Sequence, residues 1–394
     1  MKRALMILVA TLLVAAPARA QSLFSARGLG MPVQPVDARA RALGGVGVGL
    51  FGLNMSMVNP AEIAGYTRRG VTAAVQPMST DITIGDASDH VNGSRFPLMH
   101  AVLPIGSRVV LGLGYGASYD QFWAIESQDT IMIGDSRVGV TDVVRSDGGL
   151  GHARLTAAVM VTHNFALGAA IGLHTGSLER QVDRTFGDST IYNPFTTQIR
   201  WEYSGLIGAV GARWDPDPAL RLAASATFGG DIDAEGKEGD AVSRTFSTPL
   251  RVAFGASGLL GTELIATLGA EWSQAESEAD AGAGLPLATA DQTWRVGGGI
   301  EWSGRRDATR TFPIRIGGSW ANLPYHLADE EKASEWTIGG GIGLRLTDAA
   351  REPYAAADVT IERGSRSGFA SPSIESGIEE SFWRVTISLS LFGR

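Results

Sequence analysis

Trp294-Arg-Val-Gly-Gly-Gly-Ile-Glu-Trp302 alternates residue by residue. One set is Trp294, Val296, Gly298, Ile300 and Trp302; the other is Arg295, Gly297, Gly299, Glu301 and then Ser303. A period of two is the signature of a β-strand. The apolar set begins and ends on indole. The two tryptophans are separated by roughly 26 Å along an extended strand and by about 20 Å once the strand is tilted, close to the apolar band of a membrane β-barrel with its aromatic girdles. Trp336 to Leu346 repeats the pattern, with Trp336, Ile338, Gly340, Ile342, Leu344 and Leu346 set against Thr337, Gly339, Gly341, Gly343 and Arg345. The last strand does so again: Trp383, Val385, Ile387, Leu389 and Leu391 against Arg384, Thr386, Ser388 and Ser390.

If the indole side faces lipid, Arg295, Glu301, Arg315, Glu335, Arg345 and Arg384 face a lumen. An arginine on the lipid face at the bilayer midplane would cost about 2–4 kcal/mol. Such enclosed charges read either as ladders across the wall that stabilise a polar interior or as carboxylate-attracting arginines in a conduit.

The chain opens Met1-Lys2-Arg3, runs apolar from Ala4 to Ala16 and reaches Ala18-Arg19-Ala20. This has the form of a secretory signal over residues 1–20, too short to span a bilayer as a helix. The formal charge is −8, and removing Lys2, Arg3 and Arg19 makes the remainder more acidic. An acidic exported chain is a poor partner for nucleic acid. The absence of cysteine excludes disulfides, thiol chemistry and cysteine metal sites together. Glycine, at 51 of 394 residues, has about twice its usual share, which suits turns and close backbone approach and penalises helices. After the signal no segment has the uniform apolar character of a membrane helix, so a membrane location requires a closed barrel.

Alternation and breakers give about fourteen strand candidates between residues 70 and 392. Short turns, as at Gly106-Ser107 and Asp215-Pro-Asp-Pro218, alternate with polar connections at 86–92, 128–140, 181–196, 233–242, 277–290, 322–333 and 366–378. That asymmetry is expected of short periplasmic turns and long extracellular loops. The fold class is therefore all-β: a transmembrane antiparallel β-barrel over residues 70–394. Residues 21–69 precede it and read as a plug, because Val46, Val48, Leu50, Phe51, Leu53, Met55, Met57 and Val58 need cover that the lumen supplies.

No motif points to catalysis. Gly47-Val-Gly-Leu-Phe-Gly52 spells G-x-G-x-x-G but lacks the preceding strand and following helix that a dinucleotide site needs. The six histidines, His90, His100, His152, His163, His174 and His326, show no metal-ligand spacing, and no G-x-S-x-G elbow occurs. The expectation is a protein without cofactor or metal that is not an enzyme.

Arg41-Ala-Leu-Gly-Gly-Val-Gly followed by Asn59-Pro60-Ala61 resembles the start of mature FadL-type proteins, outer-membrane transporters of long-chain fatty acids and other hydrophobic compounds. Phe312-Pro-Ile-Arg315-Ile-Gly317 and Glu380-Ser-Phe-Trp383-Arg384 are similar to C-terminal strands of that family. The resemblance implies a fourteen-stranded barrel with an N-terminal plug carrying N-P-A. It also implies passive uptake of a fatty acid or other hydrophobic small molecule, released by plug movement through a lateral opening. Asn59, Pro60 and Ala61 carry over by motif. Phe51, Leu53, Met55 and Met57 are read here as ligand-binding residues, since Met and Phe adapt to flexible apolar ligands, with Met99, Leu103 and Val110 extending the pocket. Expected partners are the ligand, the surrounding outer-membrane lipid and lipopolysaccharide, and a protein at the extracellular loops. A non-transporting barrel that docks or shuttles secreted or surface-attached proteins is the alternative.

Overall fold

The computed structural model describes residues 22–393 except 27, 53, 188–190, 276–291, 304–309, 327–331, 349–352 and 372–373. The expected signal segment thus lies outside the described residues, as do the whole 277–290 connection and Leu53.

The described strands form one closed antiparallel barrel of 14 strands. They are β1 (Gly70–Ile84), β2 (Ala87–Ile105), β3 (Val109–Asp120 continued by Trp123–Ile133), β4 (Ser136–Thr162), β5 (Phe165–Phe186), β6 (Phe195–Asp217) and β7 (Leu220–Glu238). There follow β8 (Arg244–Ser247 continued by Arg251–Leu260), β9 (Leu264–Ser273), β10 (Thr293–Trp302), β11 (Arg310–Thr311 continued by Ile314–His326), β12 (Lys332–Thr347), β13 (Pro353–Ser371) and β14 (Ile374–Phe392). Each strand pairs with its sequence neighbour, and β14 closes on β1 from Phe392↔Gly70 to Ile378↔Ile84. Closure satisfies every edge, which lipid requires. Among the described residues no helix is long and apolar enough to cross a membrane.

The alternation sets the two faces as read from sequence. On β10, Trp294, Val296, Ile300 and Trp302 lie on the outer surface, while Glu301 between them is 0% exposed. Trp320, Trp336, Ile338, Ile342 and Trp383 also point out; Arg315, Glu335, Thr337, Arg384, Thr386 and Ser388 are buried inside. A closed wall with a continuous apolar outside and charges within is an outer-membrane β-barrel.

Two expectations are corrected. Met99 and Leu103 do not line an interior pocket: they are 54% and 52% exposed on the outer face of β2, whereas Val110 on β3 is buried inside. The bulge between Ala74↔Leu98 and Gln76↔Arg95 sets which face each residue of β2 takes, and alternation within β2 alone does not anchor that parity. The polar connections at 86–92, 128–140 and 233–242 are largely strand. β1 and β2 reverse at Gly85-Asp86, and β3 and β4 at Gly134-Asp135. Polar residues on both faces mark strand that has left the lipid and meets water on both sides. The 27 residues of β4 span roughly 90 Å of chain, far more than a bilayer's apolar thickness. The β3–β7 wall therefore stands well above the membrane.

Candidate functional site

The described residues between 22 and 66 lie largely against the inner wall. A 3₁₀ turn (Leu23–Ala26) is anchored on β14, where Glu380 accepts from Ser22 Oγ and the Leu23 N–H, both at 2.7 Å. A short helix, α1 (Ala38–Ala42), is capped by Asp37, whose carboxylate accepts from the Ala40 N–H at 2.8 Å. A second 3₁₀ turn (Pro60–Ile63) leads out to β1.

The glycine-rich inward face of the later strands is the footprint of this segment. Gly44 adopts φ +90° and lies so close to β10 and β11 that a side chain at Gly297 would collide with the Gly44 carbonyl; Gly317 meets the Ala42 carbonyl in the same way. Glycine on the wall strand is what permits such close backbone contact. The 47–52 run is not a nucleotide loop: Gly47 O accepts from Asn54 and Ser56, and the Gly49 N–H donates to Glu62 at 2.7 Å.

Charges lock segment to wall. Arg39 grips Glu301 at 2.7 and 3.1 Å. Glu301 also receives Arg315 at 2.6 Å and Arg345 at 3.3 Å, and Arg315 reaches Asp358 at 2.5 Å. Arg366 bridges Glu335 and Glu380, and Arg384 holds Glu362 at 2.8 and 2.9 Å. Five of the six charged residues assigned to the lumen, Arg295, Glu301, Arg315, Glu335 and Arg345, thus join ion pairs to Arg39 or to one another, and Arg384 pairs with Glu362. Burial pushes the Glu62 carboxyl up from its ordinary range, opposed by Arg221 and Arg213 and by the Gly49 N–H.

Asn59 accepts from the Ala61 N–H at 2.9 Å and donates to Ala212 O at 3.2 Å, so N-P-A caps its own turn and ties it to β6. Pro60 and Ala61 seat against Gly168, and Asn59 against Gly211, positions where a Cβ has no room. Met55 packs with Ile63, Tyr66, Val102, Val110 and Phe392. Phe51 is half-buried beneath the Arg221 guanidinium, 5.3 Å from its ring centre. Met57 packs on Ala74 and Leu98 and borders a partly open cavity of about 50 Å³. The structure therefore brings one of these residues to the cavity and the other described ones to packing positions.

Polar and charged side chains converge on one part of the cavity, whose wall is otherwise apolar. His152 and His174, paired across β4 and β5, meet edge to face at 6.5 Å. Ser118 Oγ lies 2.8 Å from His152 Nδ1, Arg154 donates to Met57 O, and Arg251 stacks over Tyr119 at 4.9 Å. Among the described residues, His152 Nε2 and Arg154 Nε have no hydrogen-bond partner. The volume suits about three or four waters, or one small polar group, and is well below that of a pocket for an elongated ligand. Sequence reading passed over these residues because it tested the histidines for metal spacing. The available signal was hairpin symmetry, since His152 and His174 stand nearly equidistant from the turn after Thr162.

Comparison with solved structures places the fold. A Pseudomonas aeruginosa FadL homologue superposes with a TM-score of 0.64 at 13% identity, covering 92% of this chain and 99% of that one. The Ralstonia pickettii toluene transporter TbuX gives 0.58 at 18% identity (92% and 99%), and the P. putida toluene transporter TodX gives 0.58 at 14% (93% and 99%). At such identities the likeness is one of fold. No curated protein matches by sequence. The family model described as BamG matches residues 1–237, more than half of the chain, and the protein belongs to that family.

Proposed function

We propose that this barrel passes hydrophobic small molecules, long-chain fatty acids among them, between its lumen and the outer membrane, with residues 22–66 as the plug that Met57 and its neighbours use to contact the ligand. The observation that supports this reading is a latched gap in the wall. Opposite Gln76-Pro77 of β1, the pairing with β14 lapses at Val385 and Thr386; on the other side, the register with β2 slips between Ala74↔Leu98 and Gln76↔Arg95. Pro77 and Pro97 bring no N–H to the ladder. Side chains close the gap instead: Gln76, 0% exposed, donates to Thr386 at 2.8 Å and accepts from Arg95 at 2.6 Å. A wall held there by side chains opens sideways at lower cost than a continuous ladder, and apolar cargo gains by leaving toward lipid.

The test uses the absence of native cysteine. A Gln76→Cys/Thr386→Cys double variant places two thiols across the gap. Reconstituted in liposomes, its uptake of toluene or a fluorescent fatty acid is expected to drop on oxidation and return on reduction. Uptake that ignores the lock removes the lateral route.

A second reading, a docking or shuttle subunit for secreted or surface-attached proteins, is favoured by the small size of the cavity and the tall β3–β7 wall. Near the top of that wall Ile191 and Phe195 are exposed, and Tyr192 packs on Phe186. Unchanged and negligible uptake in both redox states, with a co-purifying protein lost on trimming this wall, would select it.

A further inference from the structure

The outer face of the β1–β2 hairpin carries a nucleophile, a base and a carboxylate in line. Asp81 pairs with His90 across the hairpin, and Ser79 pairs with Asn92. Asp81 Oδ1 lies 2.7 Å from His90 Nδ1, and Ser79 Oγ lies 3.2 Å from His90 Nε2. With Nδ1–H given to Asp81, Nε2 is the acceptor and the Ser79 hydroxyl the donor. That is the geometry by which serine hydrolases are recognised, whatever the order in sequence. Asn92 Nδ2 also stands 3.2 Å from Nε2 and shares that acceptor with Ser79; once Nε2 takes a proton the amide loses this acceptor and becomes a donor free for an oxyanion.

Location gives the substrate. Below Ser79 the outer face is apolar: Val71 on β1, Met99 and Leu103 on β2, and Leu391 up to Trp383 on β14. Trp383 pairs directly with Ser79 and carries Arg363 stacked over its ring at 5.3 Å; Arg363 also donates to Ser381 Oγ at 2.9 Å. From Ser79 upward the outward residues turn polar. Tryptophan with arginine at the edge of an apolar band marks the headgroup level, where the ester bonds of membrane lipids lie.

We propose that Ser79, His90 and Asp81 form an interfacial hydrolase site for carboxylic esters of acyl lipids in the outer leaflet. Ser79 Oγ attacks the ester carbonyl carbon as its proton passes to His90 Nε2, and the oxyanion faces the Asn92 amide. The bond to the alcohol breaks, and Nε2 returns the proton to that alcohol. Water then attacks the acyl-Ser79 ester, giving a proton to Nε2; the acid leaves, and Ser79 regains its proton. The site is independent of the transport reading.

The full chain, purified in detergent, is treated with a fluorophosphonate probe and assayed on p-nitrophenyl laurate. Ser79 is expected to carry the phosphonyl group by peptide mass. Ser79→Ala and His90→Ala are expected to lose at least about 100-fold in kcat/KM, and Asp81→Asn to lower kcat with KM held. These residues sit at the wet rim, so the variants should fold, which heat-dependent gel migration checks. Fatty acid released from phosphatidylethanolamine vesicles or from lipopolysaccharide supports the proposal and names the lipid. Release from neither, an unlabelled Ser79, or a folded Ser79→Ala that hydrolyses within about 10-fold of wild type overturns it.

Discussion

Replacing Glu301 with glutamine should destabilise the folded barrel by about 3–5 kcal/mol, the usual cost of removing one partner from a buried ion pair. Glu301 is 0% exposed and receives Arg39 from the N-terminal segment together with Arg315 and Arg345 from the wall. Neutralising it leaves Arg39, Arg315 and Arg345 converging on an uncharged amide, with Asp358 still paired to Arg315. The measurement is the urea midpoint of the heat-modifiable folded band. The Glu301→Gln/Arg39→Met pair should cost less than the sum of the single changes, because both act on one network. Additive losses would mean that segment and wall are not joined through this carboxylate.

The neighbouring position gives the complementary result. Ile300 is 46% exposed, one residue away on the opposite face of β10. Ile300→Arg should cost about 2–4 kcal/mol in a bilayer, since the side chain would enter hydrocarbon near mid-band. The same change in a water-soluble sheet with Ile300 on its surface would cost little. Refolding yield into lipid vesicles reads the difference.

The wall was legible because period two is a local property. Trp294, Val296, Ile300 and Trp302 declare their face without reference to any other strand, and the indoles set the height of the band. Strand number followed from counting such segments. Face assignment failed at Met99 and Leu103 because the Gln76 bulge shifts parity in a way that only the paired strand reveals. Strand length failed at 86–92 and 128–140 because polar residues on both faces read alike whether in a loop or in a ribbon surrounded by water. At the site, Asn59 and Pro60 were found by motif, yet their roles are to cap a turn and to seat it on Gly168 and Gly211. The His152–His174 pair and the Ser79–His90–Asp81 row escaped notice because their members are distant in sequence and are joined by hairpin register.

Tryptophan fluorescence in brominated against ordinary phosphatidylcholine vesicles tests most directly which side of the wall meets lipid. With Trp214, Trp294, Trp302, Trp320, Trp336 and Trp383 on the outer surface and Trp272 paired beside Trp294 on the same face, bromine in the acyl chains should remove most of the emission, and changing these seven to phenylalanine should abolish most of that loss. Emission from the unmodified protein that is indifferent to brominated lipid would place the indoles away from hydrocarbon and contradict the barrel's orientation, with its enclosed charges and lateral gap.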